Sequence, residues 1–335
     1  MTTRRSFLAS TALALLAGAL ALQSGAAEAA NRKVRFQLAW LPGSDQAGEI
    51  VALKKGYFAD AGLDVEILPG GPGSNPVQET LADVADIAIA YAPQIMYAAN
   101  KGLPIKCFAA VFQKAPLTFY SLGQSNIKGI KDWKGKTIGA GQDAEAQIKA
   151  ILDFNGMTMG DITFVQAQPP ALLQGQIDVV ASWPTNLAQI EPIISHEGGY
   201  NMQSIWDNGL QFQSNYYIAT NETIADDTDM LVKFVEAADK GWAYAADHPD
   251  EASALIASMS DALDAGKEKD SLMVTVDQGF IYNDETKKYG FGNIEADRWQ
   301  NTLDLYAKIG EIKPGMKAAD VFDDRVLKAS NRSNR

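Results

Sequence analysis

An apolar run that halts at a cluster of glycines and restarts as a helix constrains this chain more than any other feature. Val65, Ile67 and Leu68 form such a run, Pro69-Gly70-Gly71-Pro72-Gly73-Ser74 follows, and Asn75-Pro76 comes next. Asparagine before proline reads as an N-cap with proline in the first helical turn. A strand therefore ends here, the chain turns sharply, and a helix starts near Pro76. Glycines leave the backbone unshielded, so the amides around Gly71, with Asn75 beside them, are candidates to meet a polar or anionic edge of a small molecule. A tight turn that holds no ligand fits the same residues. The spacing matches neither G-x-x-x-x-G-K-[ST] nor G-x-G-x-x-G ahead of a helix, so neither a nucleoside triphosphate nor a dinucleotide site is indicated.

The same grammar recurs along the chain. Residues 34–39 read as a strand that ends at Trp40-Leu41-Pro42-Gly43-Ser44-Asp45-Gln46, before a helix over 47–55. An indole at a strand tip, with Asp45 and Gln46 beside it, is a natural wall for an aromatic ring, although a core Trp40 and a helix-capping Asp45 explain the same residues. Strands follow at 64–68, 86–90 and 105–112, with helices at 76–84 and 94–100; the tips deliver Tyr91 and Gln113. Strand, helix, strand, helix, strand is the order of a parallel sheet whose ligands lie beyond the strand ends. A polar turn at 129–136 then starts a second α/β unit, with strands at 137–140, 162–166 and 177–182 and helices at 144–154 and 170–175. Its last strand ends at Trp183-Pro184-Thr185-Asn186, again an aromatic and an amide before a helix.

The extended run 215–219 carries the chain back toward the first unit. From Asp227 the pattern is helical, with apolar residues at helical spacing over 230–246, 249–259, 270–280 and 294–309. Trp242, Tyr244 and Trp299 read there as core. The expected fold is α/β with two lobes: 30–119 with 219–335, and 120–218, joined by a hinge near Tyr120 and Tyr217. A ring held by Trp40, Tyr91 and Trp183 would be oriented by Asp45, Gln46, Asn75, Gln113 and Asn186, with Gly71 and Tyr217 as further contacts.

The first residues lie outside this pattern. Thr3-Arg4-Arg5-Ser6-Phe7-Leu8 carries a twin-arginine pair, and 12–22 is an apolar stretch too short to span a bilayer comfortably. Small residues at Ala27 and Ala29 place cleavage after Ala29, so 1–29 reads as a twin-arginine (Tat) signal peptide and the mature chain as a soluble periplasmic protein. Removing Arg4, Arg5 and Glu28 takes the 29 basic and 41 acidic residues to 27 and 40, a net charge of −13. Nucleic acid and anionic membranes are poor partners for such a surface. Roughly 306 residues remain, enough for two cores. Cys107 is the single cysteine, in an apolar run, and forms no intramolecular disulfide; His196 and His248 are the only histidines. Without a cysteine cluster or a His-x-x-x-His pair, no metal site is expected, nor any cofactor.

Lys54-Lys55-Gly56-Tyr57-Phe58 continuing to Gly62-Leu63-Asp64-Val65 resembles the segment shared by solute-binding proteins of ABC importers for thiamine pyrimidines, riboflavin, sulfonates and nitrate. Trp40 with Pro42, the Pro69-Gly70-Gly71-Pro72 and Asn75-Pro76 run, Lys101-Gly102-Leu103-Pro104-Ile105, Asp132-Trp133-Lys134-Gly135-Lys136 and Thr185-Asn186 are similar too, so the likeness covers about 36–252. It implies a type II periplasmic binding protein: two lobes, two hinge crossings and a helical C-terminal part. Such a protein closes as a monomer on one small molecule and delivers it to an inner-membrane permease.

Two departures bear on the ligand. Pyrimidine-binding members carry a His in an Asn-x-x-His pattern where this chain has Ser44-Asp45-Gln46, and a Glu where Leu187 follows Asn186. A replacement contact would come from Gln113 or Asp45. Aromatic walls with amides and one carboxylate, and no arginine at the tips, favour a flat riboflavin-like or pyrimidine-like heterocycle over a sulfonate or nitrate. The same resemblance includes a fungal enzyme that builds the thiamine pyrimidine from its own histidine and pyridoxal phosphate. That chemistry needs an active-site His, a Schiff-base Lys and a cysteine-rich run, so no catalytic residue is expected here. A binder that serves no transporter is the third reading.

Overall fold

The computed structural model describes residues 31–71, 73–141 and 144–335. The expected signal peptide at 1–29 and Pro72 lie outside the described residues. Two five-stranded sheets are built from β1 (Arg32–Gln37), β2 (Leu63–Leu68), β3 (Ile87–Ala90), β4 (Ile105–Phe112), β5 (Thr118–Leu122), β6 (Thr137–Ala140), β7 (Thr163–Gln166), β8 (Val179–Ser182), β9 (Tyr200–Ser204) and β10 (Ser214–Thr220). Both belong to one packed unit, Lys33–Arg335.

The first sheet has the order β2-β1-β3-β10-β4. Its central strand β3, Ile-Ala-Ile-Ala, is apolar without alternation because both faces are covered: every residue of β3 is buried. β1 and β3 run parallel, Phe36 beside Ile87. β10 inserts antiparallel between β3 and β4, with Tyr217 opposite Ile89 on one side and Ala109 on the other. The sheet is therefore mixed, not purely parallel as the order of its first strands suggested: β10 enters from the second sheet, and so from the opposite end.

The second sheet has the order β7-β6-β8-β5-β9, with β6 parallel to β7 and β8, and β5 antiparallel to β8 and β9. Edge strand β9, Tyr-Asn-Met-Gln-Ser, is absent from the sequence reading: its apolar residues alternate, but Tyr200 and Met202 face outward and Gln203 is buried, the reverse of the pattern of a half-buried strand. The chain crosses between the sheets at 113–117 and 205–213. Tyr120 and Tyr217 sit inside β5 and β10, so the crossings lie several residues from the expected hinge positions.

The helical tail covers the first sheet and also reaches the second unit. Helix Thr228–Asp247 crosses helix Ala47–Lys54 closely enough that a Cβ on Gly241 would lie 1.9 Å from the Gly48 carbonyl oxygen. Trp242 and Trp299 are buried, as expected; Tyr244 is half-buried, packed against the core with the Lys55 ammonium over its ring. Helix Ala265–Asp277 starts five residues earlier than its apolar spacing indicated, because Asp264 caps it by accepting from the Lys267 N–H. Beyond helix Ala296–Lys308, Glu311 accepts from the Tyr97 hydroxyl (2.9 Å) and pairs with Lys149 (2.6 Å), tying elements of both units together.

Candidate functional site: a seam between strand tips

Where β8 ends, Trp183 turns its ring onto the tip of β3. It meets Tyr91 edge-on, with centroids 5.7 Å apart, and Phe112 at the end of β4 at 6.2 Å. Both Trp183 and Tyr91 are half-buried. The two sheets thus touch through aromatic side chains at their carboxyl ends, the place where ligands of open α/β sheets bind.

Two residues after Trp183, Thr185 brings its hydroxyl beside Asp45 of the first unit. Asp45 lies in the short 3-10 turn Ser44–Gln46, whose Ser44 N–H donates to the Glu268 carboxylate (2.7 Å). Burial pushes the Asp45 carboxyl up to about 6; the Thr185 hydroxyl pulls it down and the Glu268 charge pushes it further up. The contact with Thr185 falls short of a proper hydrogen bond, since Asp45 Oδ1 and Thr185 Oγ1, like Gln46 Oε1 next door, are buried and unpaired. Leaving such an atom unsatisfied costs roughly 1–3 kcal/mol; three of them fall on these facing tips, while others, on Glu49, Trp133, Trp242 and Tyr306, lie in the core. Asp45 makes no side-chain cap to helix Ala47–Lys54, and Trp40 is 52% exposed, so neither plays the purely structural part open to it in the sequence.

The remaining expected residues are distributed more widely. Trp40 stands on the β1 tip loop and forms no ring pair with Trp183 among the described residues. Gly70 donates to the Trp40 carbonyl (3.0 Å), and a Cβ on Gly70 would lie 2.4 Å from the Leu38 carbonyl oxygen, so this glycine permits a close backbone approach. Gly71, at φ 149, accepts from the Ser74 N–H, and Asn75 Oδ1 accepts from the Gln78 N–H as an N-cap. Gln113 is fully buried: its amide donates to the Ala110 and Asn293 carbonyls, and its oxygen accepts from Gln213, at the joint between the crossings. Asn186 starts helix Leu187–Ile194 without a side-chain cap bond.

Tyr217 belongs to the core of the first sheet, packed on Phe36, Phe108 and Phe234 with its hydroxyl donating to Glu49. Burial pushes the Glu49 carboxyl up to about 7, against the pull of that hydroxyl. The structure therefore joins Tyr91, Trp183, Asp45 and the neighbouring Gln46 at the seam, and sets Gln113 and Tyr217 into interior packing. Sequence reasoning missed three seam residues. Thr185 stood inside the quoted Trp183-Pro184-Thr185-Asn186 motif, Phe112 sat one position before Gln113, and Glu268 carried no local signal.

A cavity of about 610 Å³ opens between helices Leu187–Ile194 and Ala265–Asp277, lined in part by Leu187, Glu191, Lys267, Asp270 and Met273. None of the expected residues lines it, although Leu187 follows Asn186 and Lys267 precedes Glu268. Among the described residues no group of three or more His, Cys, Asp or Glu is placed to hold a metal, and no helix is long and apolar enough to cross a membrane.

Two mixed α/β sheets joined by two crossings, with aromatic and polar tips meeting at a seam, define the architecture of type II periplasmic binding proteins. The NMT1/THI5-like family model matches residues 44–252, and the chain belongs to that family. Over 313 residues it is 25% identical to the formylaminopyrimidine-binding protein of Halalkalibacterium halodurans, covering 86% of this chain and 89% of the relative. It is 24% identical over 310 residues to the riboflavin-binding protein RibY of Chloroflexus aurantiacus, covering 88% and 86%. Its fold matches the periplasmic aliphatic sulphonate binding protein SsuA of Escherichia coli at TM-score 0.65 and 16% identity, over 91% and 96% of the two chains. A desulfurization enzyme, DSZB, shares the fold at TM-score 0.55 and 13% identity, over 89% and 98%, so the architecture hosts catalysis as well as binding.

Proposed function

We propose that this chain is the solute-binding component of an ABC importer, a monomer exported by its twin-arginine leader to the periplasm. It takes one flat heterocycle, pyrimidine-like or riboflavin-like, between lobes 30–119 with 219–335 and 120–218, and hands it to a permease. The observation that carries this reading is the set of buried, unpaired polar atoms on Asp45, Gln46 and Thr185, beside an aromatic contact that spans the two sheets.

The mechanism follows from that arrangement. Rotation about 113–117 and 205–213 parts Trp183 from Tyr91 and exposes the tips; a planar solute enters against the rings, and reclosure excludes water. Each buried oxygen that gains a donor recovers part of its desolvation cost, so ligand and closed form stabilise one another. Trp40, exposed at the rim, supplies a further face for the ring.

Binding without chemistry is supported by what the reactive residues do. Cys107 is buried, and burial pushes its thiol far up. His196 accepts from the Gly198 N–H in a turn, and His248 ends helix Thr228–Asp247 with its ring tilted against Tyr244; neither stands on an element of the seam. Mass spectrometry of what co-purifies with the exported protein, followed by thermal-shift measurements with flavins, pyrimidines, sulfonates and nitrate, tests the reading. A protein that retains no solute and responds to none of these classes overturns it.

A further inference from the structure

The two units also meet away from the seam, through charge. The turn after helix Ala296–Lys308 is pinned to the first unit: Glu311 accepts from the Tyr97 hydroxyl, and the Lys313 N–H donates to Asn100 Oδ1 (2.9 Å), both partners lying on helix Ala92–Asn100. From there it grips helix Glu145–Phe154 of the second unit twice. Glu311 Oε1 pairs with Lys149 Nζ at 2.6 Å, and Lys308 Nζ pairs with Asp153 Oδ2 at 2.6 Å. Each side thus presents one cation and one anion. Burial works against the Glu311 charge, but the Lys149 ammonium and the Tyr97 hydroxyl hold its carboxyl below the usual range. The gripped helix ends at the hinge, since a Cβ on Gly209, in the crossing 205–213, would lie 2.1 Å from the Phe154 ring.

We propose that Lys149 and Asp153, facing Glu311 and Lys308, form an electrostatic clasp that holds the lobes closed and exchanges partners when they open. Lys149 and Asp153 stand four apart on one helix face, and Lys308 and Glu311 stand three apart around the end of another, so each charge has a second partner on its own side. Parting the lobes therefore strands no ion: pairs between lobes give way to pairs within each lobe. The two states then differ by little free energy, which suits an element that opens and closes reversibly. None of the four side chains belongs to the seam. The clasp acts on the empty protein and sets how much of it is closed before a solute arrives, which scales apparent affinity without touching the ligand. It goes beyond the solute-binding reading and takes from it only the rotation about the two crossings.

Spin labels on Glu66→Cys and Gln166→Cys, exposed positions on β2 and β7, read the distance between the lobes of the mature, solute-free protein by double electron–electron resonance; Cys107 is buried and stays unlabelled. Asp153→Lys, which sets a cation against Lys308, should lower the ratio of closed to open protein by about threefold to tenfold. Adding Lys308→Asp leaves two cations facing two anions, with no partner of opposite sign on either side, and should return the ratio to the original value or above it. Salt at about 1 M should shift the unaltered sequence toward the open form. A distance distribution indifferent to Asp153→Lys and to salt, or a double variant as open as the single one, overturns the proposal. Lys149→Glu repeats the first substitution at the other pair, so a misfolded Asp153 variant does not leave the clasp undecided. Solute retention is measured separately, by mass spectrometry, so loss of the clasp leaves the solute-binding reading standing.

Discussion

The glycine loop at 69–76 and the indole tip at 183–186 look alike as sequence, each a strand end opening into a helix with an amide at the cap. Folded, they differ in where their polar groups go. In the glycine loop the Gly70 N–H, the Ser74 N–H and the Asn75 oxygen all find partners within the protein, and Gly70 exists to let two backbones approach. In the indole tip the Thr185 hydroxyl is left unpaired, and the Trp183 ring lies on residues of the other sheet. A glycine cluster therefore marks close approach, by a neighbouring loop as readily as by a ligand. What sets the indole tip apart is the coincidence of buried, unsatisfied polar atoms with an aromatic contact between the sheets, since the core holds such atoms too, on Trp133, Trp242 and Tyr306.

Substituting Gly70 with alanine is the most severe way to break this comparison. The added Cβ would sit 2.4 Å from the Leu38 carbonyl oxygen and 2.7 Å from the Trp40 nitrogen, both backbone atoms that cannot swing aside. A loss of roughly 3 kcal/mol or more in urea unfolding is expected, with solute affinity intact in the protein that remains folded. Equal losses of stability and affinity would return the glycine loop to the binding edge.

The pH dependence of stability separates seam from interior. Asp45 titrates near 6 when folded against 3.8 as a free side chain, and Glu49 near 7 against 4.5. Both folded values are raised, so each carboxyl keeps its proton longer in the folded state. The associated stability is fully present below the unfolded value and is lost as pH rises, through about 6 for Asp45 and about 7 for Glu49, by roughly 3 kcal/mol apiece. Melting curves from pH 4 to 8 should therefore decline toward neutrality. Asp45→Asn and Glu49→Gln should each flatten their own window, and saturating solute should flatten only that of Asp45, because Glu49 answers to Tyr217 and not to the seam. A solute that erased both windows would join Glu49 to the site.

Trp183→Ala comes next, with an affinity loss of about 2 kcal/mol, near thirtyfold. Trp183 is half-buried and packs on Tyr91 and Phe112 across a seam that must open, so apo stability should fall by less than affinity does. Calorimetric binding and thermal melting on one preparation check this; the reverse ordering would make Trp183 a packing residue.

Much of the framework was legible because strand tips announce themselves. β4 and β6 fall at the expected residues, and the tips bearing Tyr91 and Trp183 meet. What escaped was long-range. Gln113 looked like a tip residue and Tyr217 like a hinge contact, yet β10 inserts between β3 and β4 and turns Tyr217 onto Glu49, while Gln113 is claimed by Gln213 and Asn293, 100 and 180 positions away. Glu268 reaches Ser44 across 224 positions, and periodicity carries no trace of such a pairing. The Asp264 cap was local and readable, but the charged first turn of its helix masked the start that apolar spacing should have shown.

The smallest effect is also the finest test of the opening comparison. Asn75 is exposed, and its side-chain oxygen accepts from Gln78 N–H at 3.2 Å, so Asn75→Ala removes an N-cap and should cost about 1 kcal/mol of stability. Serine at this position can accept from the same N–H and should restore most of that loss. If capping is the whole role of Asn75, solute affinity stays level through both variants. A carboxamide that also reached a ligand would behave differently: serine, one atom shorter, would rescue melting but not binding. That split would show that the loop's partnered groups exchange partners when the lobes close, and that being satisfied in the unliganded fold does not by itself remove a residue from the site.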